Sequence, residues 1–275
     1  MPKLSINDLE INFEMIGEGK PVIMIHGFTP DSRLMKGCME PIFTKRENYK
    51  RIYLDLPGMG ETAGSKTINS TDDMLDIVID FIDTLIPSQS FLLVGESYGG
   101  YLSRGIIAKR KDKVEGVAFI CPMIIPEMEN RTLPEHVVII EDEEFINKLS
   151  EDERKDFRSN NVVLDKNTWY RYKNEVVSGC SIADQQFLTK IRKSYGFKFD
   201  VDSVSFESPS IFLLGLQDSV VGYKDAFNLL NNFPRATFAV LDKAGHNLQI
   251  EQEVLFNNLI NEWLDRLLEV KDKQA

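Results

Sequence analysis

The chain has 275 residues, 43% of them hydrophobic and 27% charged, with a formal net charge of −11. That length holds one large α/β domain, or a domain with an insertion, and the composition is that of a folded globule rather than a disordered or fibrous chain. The acidity argues against nucleic acid and against anionic membrane surfaces as partners. No apolar run approaches the roughly 18 residues of a membrane span, and the first residues lack the apolar core of a signal peptide. Cys38, Cys121 and Cys180 are the only cysteines and have no metal-like spacing. A cytoplasmic, reducing setting is therefore expected.

Residues 4–6 and 9–16 read as an opening hairpin, with Asn7-Asp8 at the turn. Residues 21–25 form a short apolar run, expected to be a buried strand, that ends in His26-Gly27-Phe28. A helix is predicted around 35–43, then a strand over 51–54, then the loop Asp55-Leu56-Pro57-Gly58-Met59-Gly60. Ser70 or Thr71 caps the next helix, with Asp72 and Asp73 in its first turn, and that helix stops before Pro87. Residues 90–94 and 114–121 are further strands, with a helix between them carrying Leu102, Ile106 and Ile107 on one face. Late in the chain, strands over 211–214 and 237–241 flank a helix predicted near 222–230, and a final helix places Leu255, Leu259, Trp263, Leu264 and Leu267 on one face. Strands alternating with helices mean an α/β fold with a mostly parallel sheet covered on both faces.

Residues 124–200 break that rhythm. The stretch is polar, carries the acidic run Glu141-Asp142-Glu143-Glu144, and holds an aromatic cluster at Trp169, Tyr170 and Tyr172. So long an interval between two strands exceeds an ordinary connection. It is expected to be a helical cap over the C-terminal sheet edge, inserted into a core made of residues 1–123 and 201–275.

Gly95-Glu96-Ser97-Tyr98-Gly99 places a serine where a strand turns sharply into a helix. The flanking glycines let the backbone fold back, and the helix start aims free N–H groups at charge forming beside the hydroxyl. A serine hydroxyl is a weak nucleophile until a base takes its proton and a third group orients that base. Among three histidines, His246 in Gly245-His246-Asn247 follows the last strand, and Asp218 in Gly215-Leu216-Gln217-Asp218 follows the strand before it. The order Ser97, Asp218, His246 is the expected nucleophile, orienter and base. Glu96 is expected to be a packed or hydrogen-bonded acid behind the turn.

Taken with His26-Gly27-Phe28 and the Asp55–Gly60 loop, these motifs resemble the α/β-hydrolase fold superfamily over the whole chain outside the cap. The resemblance implies an eight-stranded sheet, a cap after the sixth strand, no metal and no organic cofactor. It also implies an oxyanion hole from the backbone N–H groups of Phe28 and Tyr98, with His26 orienting its loop. A serine at the turn disfavours the branches whose nucleophile is a carboxylate. The expected activity is a serine hydrolase of the carboxylesterase kind acting on small acyl compounds. Trp169 and Tyr170, with Phe28 and Tyr98, are candidates to line the acyl pocket. Proline iminopeptidases and carbon–carbon bond hydrolases share the capped layout, although the glycine-rich stretch after His-Gly that typifies the latter is replaced by Phe28-Thr29-Pro30. A slow-turnover ligand-binding or signalling protein on the same fold is the alternative of another class.

Overall fold

The computed structural model describes residues 2–272. Among them, eight strands form one sheet: β1 (Lys3–Ile6), β2 (Leu9–Ile16), β3 (Lys20–Ile25), β4 (Tyr49–Leu54), β5 (Phe91–Glu96), β6 (Val114–Ile120), β7 (Ser210–Gly215) and β8 (Ala236–Leu241). Their spatial order is β1-β2-β4-β3-β5-β6-β7-β8. The β1–β2 hairpin is antiparallel and joins β4 antiparallel, while all pairs from β4 to β8 are parallel. The central strands β5 and β7 are buried along their whole length, which is why they read as unbroken apolar runs rather than alternating ones.

Four long helices cover the sheet: α1 (Ser32–Phe43), α2 (Thr71–Leu85), α3 (Tyr98–Arg110) and, at the end of the chain, a helix over Glu253–Asp272. The last helix packs with α1, while α2 packs with α3. Asp31 caps α1 and Ser70 caps α2, each through a side-chain oxygen that accepts a first-turn amide. The helix predicted near 222–230 is instead a 3₁₀ stretch over Lys224–Leu229. Its closing bonds span three residues, from the Leu230 amide to the Phe227 carbonyl at 3.2 Å and from the Asn232 amide to the Leu229 carbonyl at 2.9 Å, the tighter pattern of that helix.

Residues 121–209 connect β6 to β7 through short helices joined by irregular stretches. Helix α4 (Glu151–Asn160) starts with a reciprocal Ser150–Glu153 capping box, α5 (Lys166–Tyr172) runs on through a π-turn over Lys173–Val177, and α6 (Gln185–Arg192) follows Asp184. Two short strands, Ile140–Glu141 and Val163–Leu164, pair in parallel. Ile146, Phe157, Leu164, Trp169 and Tyr172 form a small core of their own, closed from the main body by Ile250. No described helix is long and apolar enough to cross a membrane.

Candidate active site

Ser97 follows directly on β5 and precedes α3, at φ +50° and ψ −112°. A non-glycine residue is held there only by surrounding packing, at a cost of about 1–3 kcal/mol. The flanking glycines are what make the turn fit. A Cβ on Gly95 would strike the Gly99 carbonyl and Ser103 Oγ, and one on Gly99 would strike the carbonyls of Ile25 and His26. The turn therefore presses against the end of β3 and presents Oγ above the sheet edge.

Parallel strands deliver their C-terminal ends to one edge, so the loops after β5, β7 and β8 meet there. Ser97 Oγ lies 3.0 Å from His246 Nε2, and His246 Nδ1 lies 2.9 Å from Asp218 Oδ2. Asp218 is fully buried, and its Oδ1 accepts the amides of Val220 at 2.9 Å and Val221 at 3.0 Å. Burial acts to raise the Asp218 pKa, but the imidazole and these amides hold it below the usual carboxylate value. Burial likewise acts to lower the pKa of His246, and the Asp218 carboxylate overrides it, with Glu96 adding to the effect, so that the ring is raised to about 9.

Phe28 and Tyr98 flank the serine. Tyr98 opens α3, where amides have no intrahelical partner, and Phe28 follows Gly27 in the loop after β3. Their rings pack edge to face at 5.1 Å, Tyr195 stacks on Tyr98 at 5.1 Å, and the Tyr98 hydroxyl donates to Thr71 Oγ1 at 3.0 Å. His26 is fully buried. Its Nδ1 meets the Gly27 carbonyl at 2.7 Å, and its Nε2 accepts the Leu56 amide at 3.0 Å. Both ring nitrogens are thus occupied in tying the loop before Phe28 to the 55–60 loop.

A cavity of about 320 Å³ opens on Ser97 and His246 and is walled by Phe28, Leu34, Tyr172, Val176, Val177, Cys180 and Val220. Of the four residues expected in this wall, Phe28 lines it, while Tyr98, which is fully buried, Trp169 and Tyr170 are not among the lining residues. Trp169 is buried against Phe157 in the small core of the 121–209 segment, while Tyr170 is half exposed beneath Lys166. Adjacent helical residues point about 100° apart, so they cannot share one wall. The face that does line the cavity begins at Tyr172 and continues through the π-turn.

Two buried acids join the site, Glu96 packed as expected but facing the histidine, and Glu251, which no sequence motif marks. Glu96, expected behind the turn, lines the cavity with Oε1 3.4 Å from His246 Nε2; burial pushes its pKa up to about 7, offset in part by the imidazole. Glu251 accepts the amides of Val162 and Gly245 at 2.6 Å each, joining the 121–209 segment to the histidine loop. Asn247 adds a second tie, donating at 3.0 Å to the Asn160 carbonyl and to Asn161 Oδ1. Only the identity of Glu96 as the residue before the serine marked it in the sequence; nothing local marks Glu251.

Cys121, Asp218 and His246 offer ligand atoms within 4.8 Å of one another. Burial holds the Cys121 thiol protonated, and its Sγ sits 3.5 Å from the Gly245 carbonyl. Both Asp218 oxygens are already engaged, so this donor set does not suit a metal.

A family described as serine aminopeptidase, S33, matches residues 19–253. A pimeloyl-[acyl-carrier protein] methyl ester esterase of Legionella pneumophila is 22% identical over 93% of this chain and 100% of its own. A 2-hydroxy-6-oxo-6-(2'-aminophenyl)hexa-2,4-dienoic acid hydrolase of Metapseudomonas resinovorans is 22% identical over 95% of this chain and 90% of its own. Among solved structures, an alpha/beta superfamily hydrolase from Oenococcus oeni superposes with a TM-score of 0.89 at 30% identity, covering 97% of this chain and 99% of that one. By the extent of the family match, and by a sheet and strand order that fit it, the chain belongs to the serine aminopeptidase (S33) family of the α/β-hydrolase superfamily.

Proposed function

We propose that the protein is a serine hydrolase that cleaves carboxylic esters or related small acyl compounds through Ser97, His246 and Asp218. The observation that carries this reading is the unbroken relay from Ser97 Oγ to His246 Nε2 at 3.0 Å and from Nδ1 to a buried carboxylate at 2.9 Å, opening on a cavity. Ser97 Oγ attacks the acyl carbon while its proton passes to His246 Nε2. The resulting oxyanion is received by the Phe28 and Tyr98 amides, each such donor being worth about 3–4 kcal/mol to a transition state. His246 returns the proton to the leaving oxygen, and water, activated by the same ring, releases the acid and frees Ser97.

The insertion acts as a cap in this reading, because Tyr172, Val176, Val177 and Cys180 face the cavity while the reacting groups belong to the sheet loops. A cavity of about 320 Å³ suits a small acyl group. Cys38, Cys121 and Cys180 are free, which fits the expected cytoplasmic setting. A second reading, cleavage of aminoacyl amides, is favoured by one observation: Glu96 and Asp156 line the cavity and no lysine or arginine does. The test is a panel of short esters, aminoacyl amides and vinylogous diketones with wild type and Ser97→Ala. Ester turnover that falls by about 10³ or more in the variant is expected, together with a single fluorophosphonate mass increment on the peptide holding Ser97. Label on another residue, or turnover unchanged by the substitution, overturns the reading.

A further inference from the structure

The proposed reaction leaves Glu96 without a task, although its carboxyl lies beside the reacting nitrogen. It ends β5 one position before Ser97 and is 3% exposed. Its Oε1 is 3.4 Å from His246 Nε2, the nitrogen that Ser97 Oγ also meets at 3.0 Å. Asp218 occupies the other ring nitrogen at 2.9 Å. One imidazole is thus held between two buried carboxyl groups, one at each nitrogen. Gly27 supplies the room for this, since a Cβ there would strike Glu96 Oε2, and its amide favours the charged form of the acid.

We propose that Glu96 and His246 share a proton across Nε2, so that Glu96 sets the pH above which the imidazole can take the Ser97 proton; this rests on the serine-hydrolase reading above. With Glu96 ionised and the ring doubly protonated, Nε2 has no lone pair for Oγ–H. Moving that proton to Glu96 Oε1 leaves a neutral acid and a neutral ring, whose Nδ1–H still donates to Asp218 and whose Nε2 lone pair faces Ser97. The proton count of the site is unchanged, and no other reactant is needed. Attack then forms the Oγ–acyl bond, sends the carbonyl π electrons to oxygen and puts the serine proton on Nε2.

The surrounding groups leave His246 as the partner. Asp218 is the other nearby charge, and Cys38 of α1, Cys121 after β6, Cys180 of the insertion and Tyr195 also face Glu96. Burial pushes all three thiols and the phenol up, so they stay neutral near pH 7. Arg131 faces the ring rather than the acid and works against its protonation. Glu96 is raised to about 7 and His246 to about 9, and two groups in contact titrate as a pair.

The test is Glu96→Gln, which keeps shape and removes charge. The His246 ring is followed by NMR across pH, its resonance identified by its loss in His246→Gln, alongside kcat/KM on a short ester. The ring titration is expected to fall by about 1–3 units, the usual effect of removing an opposite charge at this range. The acid limb of kcat/KM is expected to move down with it, raising the rate at pH 6 relative to pH 9 by about tenfold or more. A structural role for Glu96 lowers the rate at every pH without moving the limb. Glu96→Asp, which keeps the charge, is expected to restore part of the shift. An unmoved ring titration in folded Glu96→Gln overturns the proposal. If that variant does not fold, the wild-type ring must show two inflections, and a single one overturns it equally. Because the ring is read without any reaction, a moved titration with Ser97 unlabelled refutes the serine-hydrolase reading and not the shared proton.

Discussion

Asp218→Asn removes one charge and almost nothing else. The Val220 and Val221 amides both bond to Oδ1, so the asparagine oxygen retains them and the loop after β7 keeps its shape. The amide nitrogen then takes the place of Oδ2, 2.9 Å from His246 Nδ1. A donor facing Nδ1 forces the ring to carry its proton on Nε2, toward Ser97, where it cannot act as a base. With charge centres about 4 Å apart and an effective dielectric of about 20, the lost attraction for the imidazolium is roughly 4 kcal/mol. That corresponds to about 10³ in rate, and the wrong tautomer extends the expected loss to about 10³–10⁴ in kcat. Initial rates on short p-nitrophenyl esters measure it, with a thermal melt as control. The depressed Asp218 pKa contributes stability above the ordinary carboxylate range that is lost as pH falls, so a modest fall in Tm at neutral pH is expected as well. A folded variant within about tenfold of wild type refutes the assignment of Asp218 and the tautomer argument together.

Trp169→Ala empties the small core of the 121–209 segment and is expected to destabilise by about 3–5 kcal/mol in a thermal or denaturant melt. Tyr172→Ala, by contrast, is expected to alter the ranking of acyl chain lengths by about 1–3 kcal/mol in relative kcat/KM; the opposite pattern moves the cavity wall to Trp169. Glu251, pushed up to about 7 by burial, keeps a proton in the folded chain where the unfolded chain has lost it. Its contribution to stability is therefore present below about pH 4.5 and lost as pH rises through 7, and Glu251→Gln is expected to flatten the stability–pH curve over that window by about 3 kcal/mol. Parallel curves for the two proteins, from denaturant titrations at several pH values, contradict that linkage.

What the sequence determined by itself is local and periodic. Unbroken apolar runs such as residues 91–94 and 211–214 can be satisfied only by strands buried on both faces, and their alternation with amphipathic helices leaves a covered parallel sheet as the economical arrangement. Glycines two positions either side of Ser97 announce a turn that no other residue fits, and Asp218 and His246 each sit just past a strand, where a parallel sheet collects its loops. What tertiary structure alone decided concerns direction and distance. Trp169 and Tyr170 are adjacent in sequence, yet one fills the small core of the 121–209 segment and the other meets solvent, because the side of a helix that faces a cavity depends on how the helix docks. Glu251 holds Gly245 nearby and reaches Val162 across 89 positions of chain, a contact no local pattern can carry. Glu96 reads in sequence as a packed acid behind the turn, with no partner indicated. Only the crossing of three loops above the sheet brings its carboxyl to His246 Nε2.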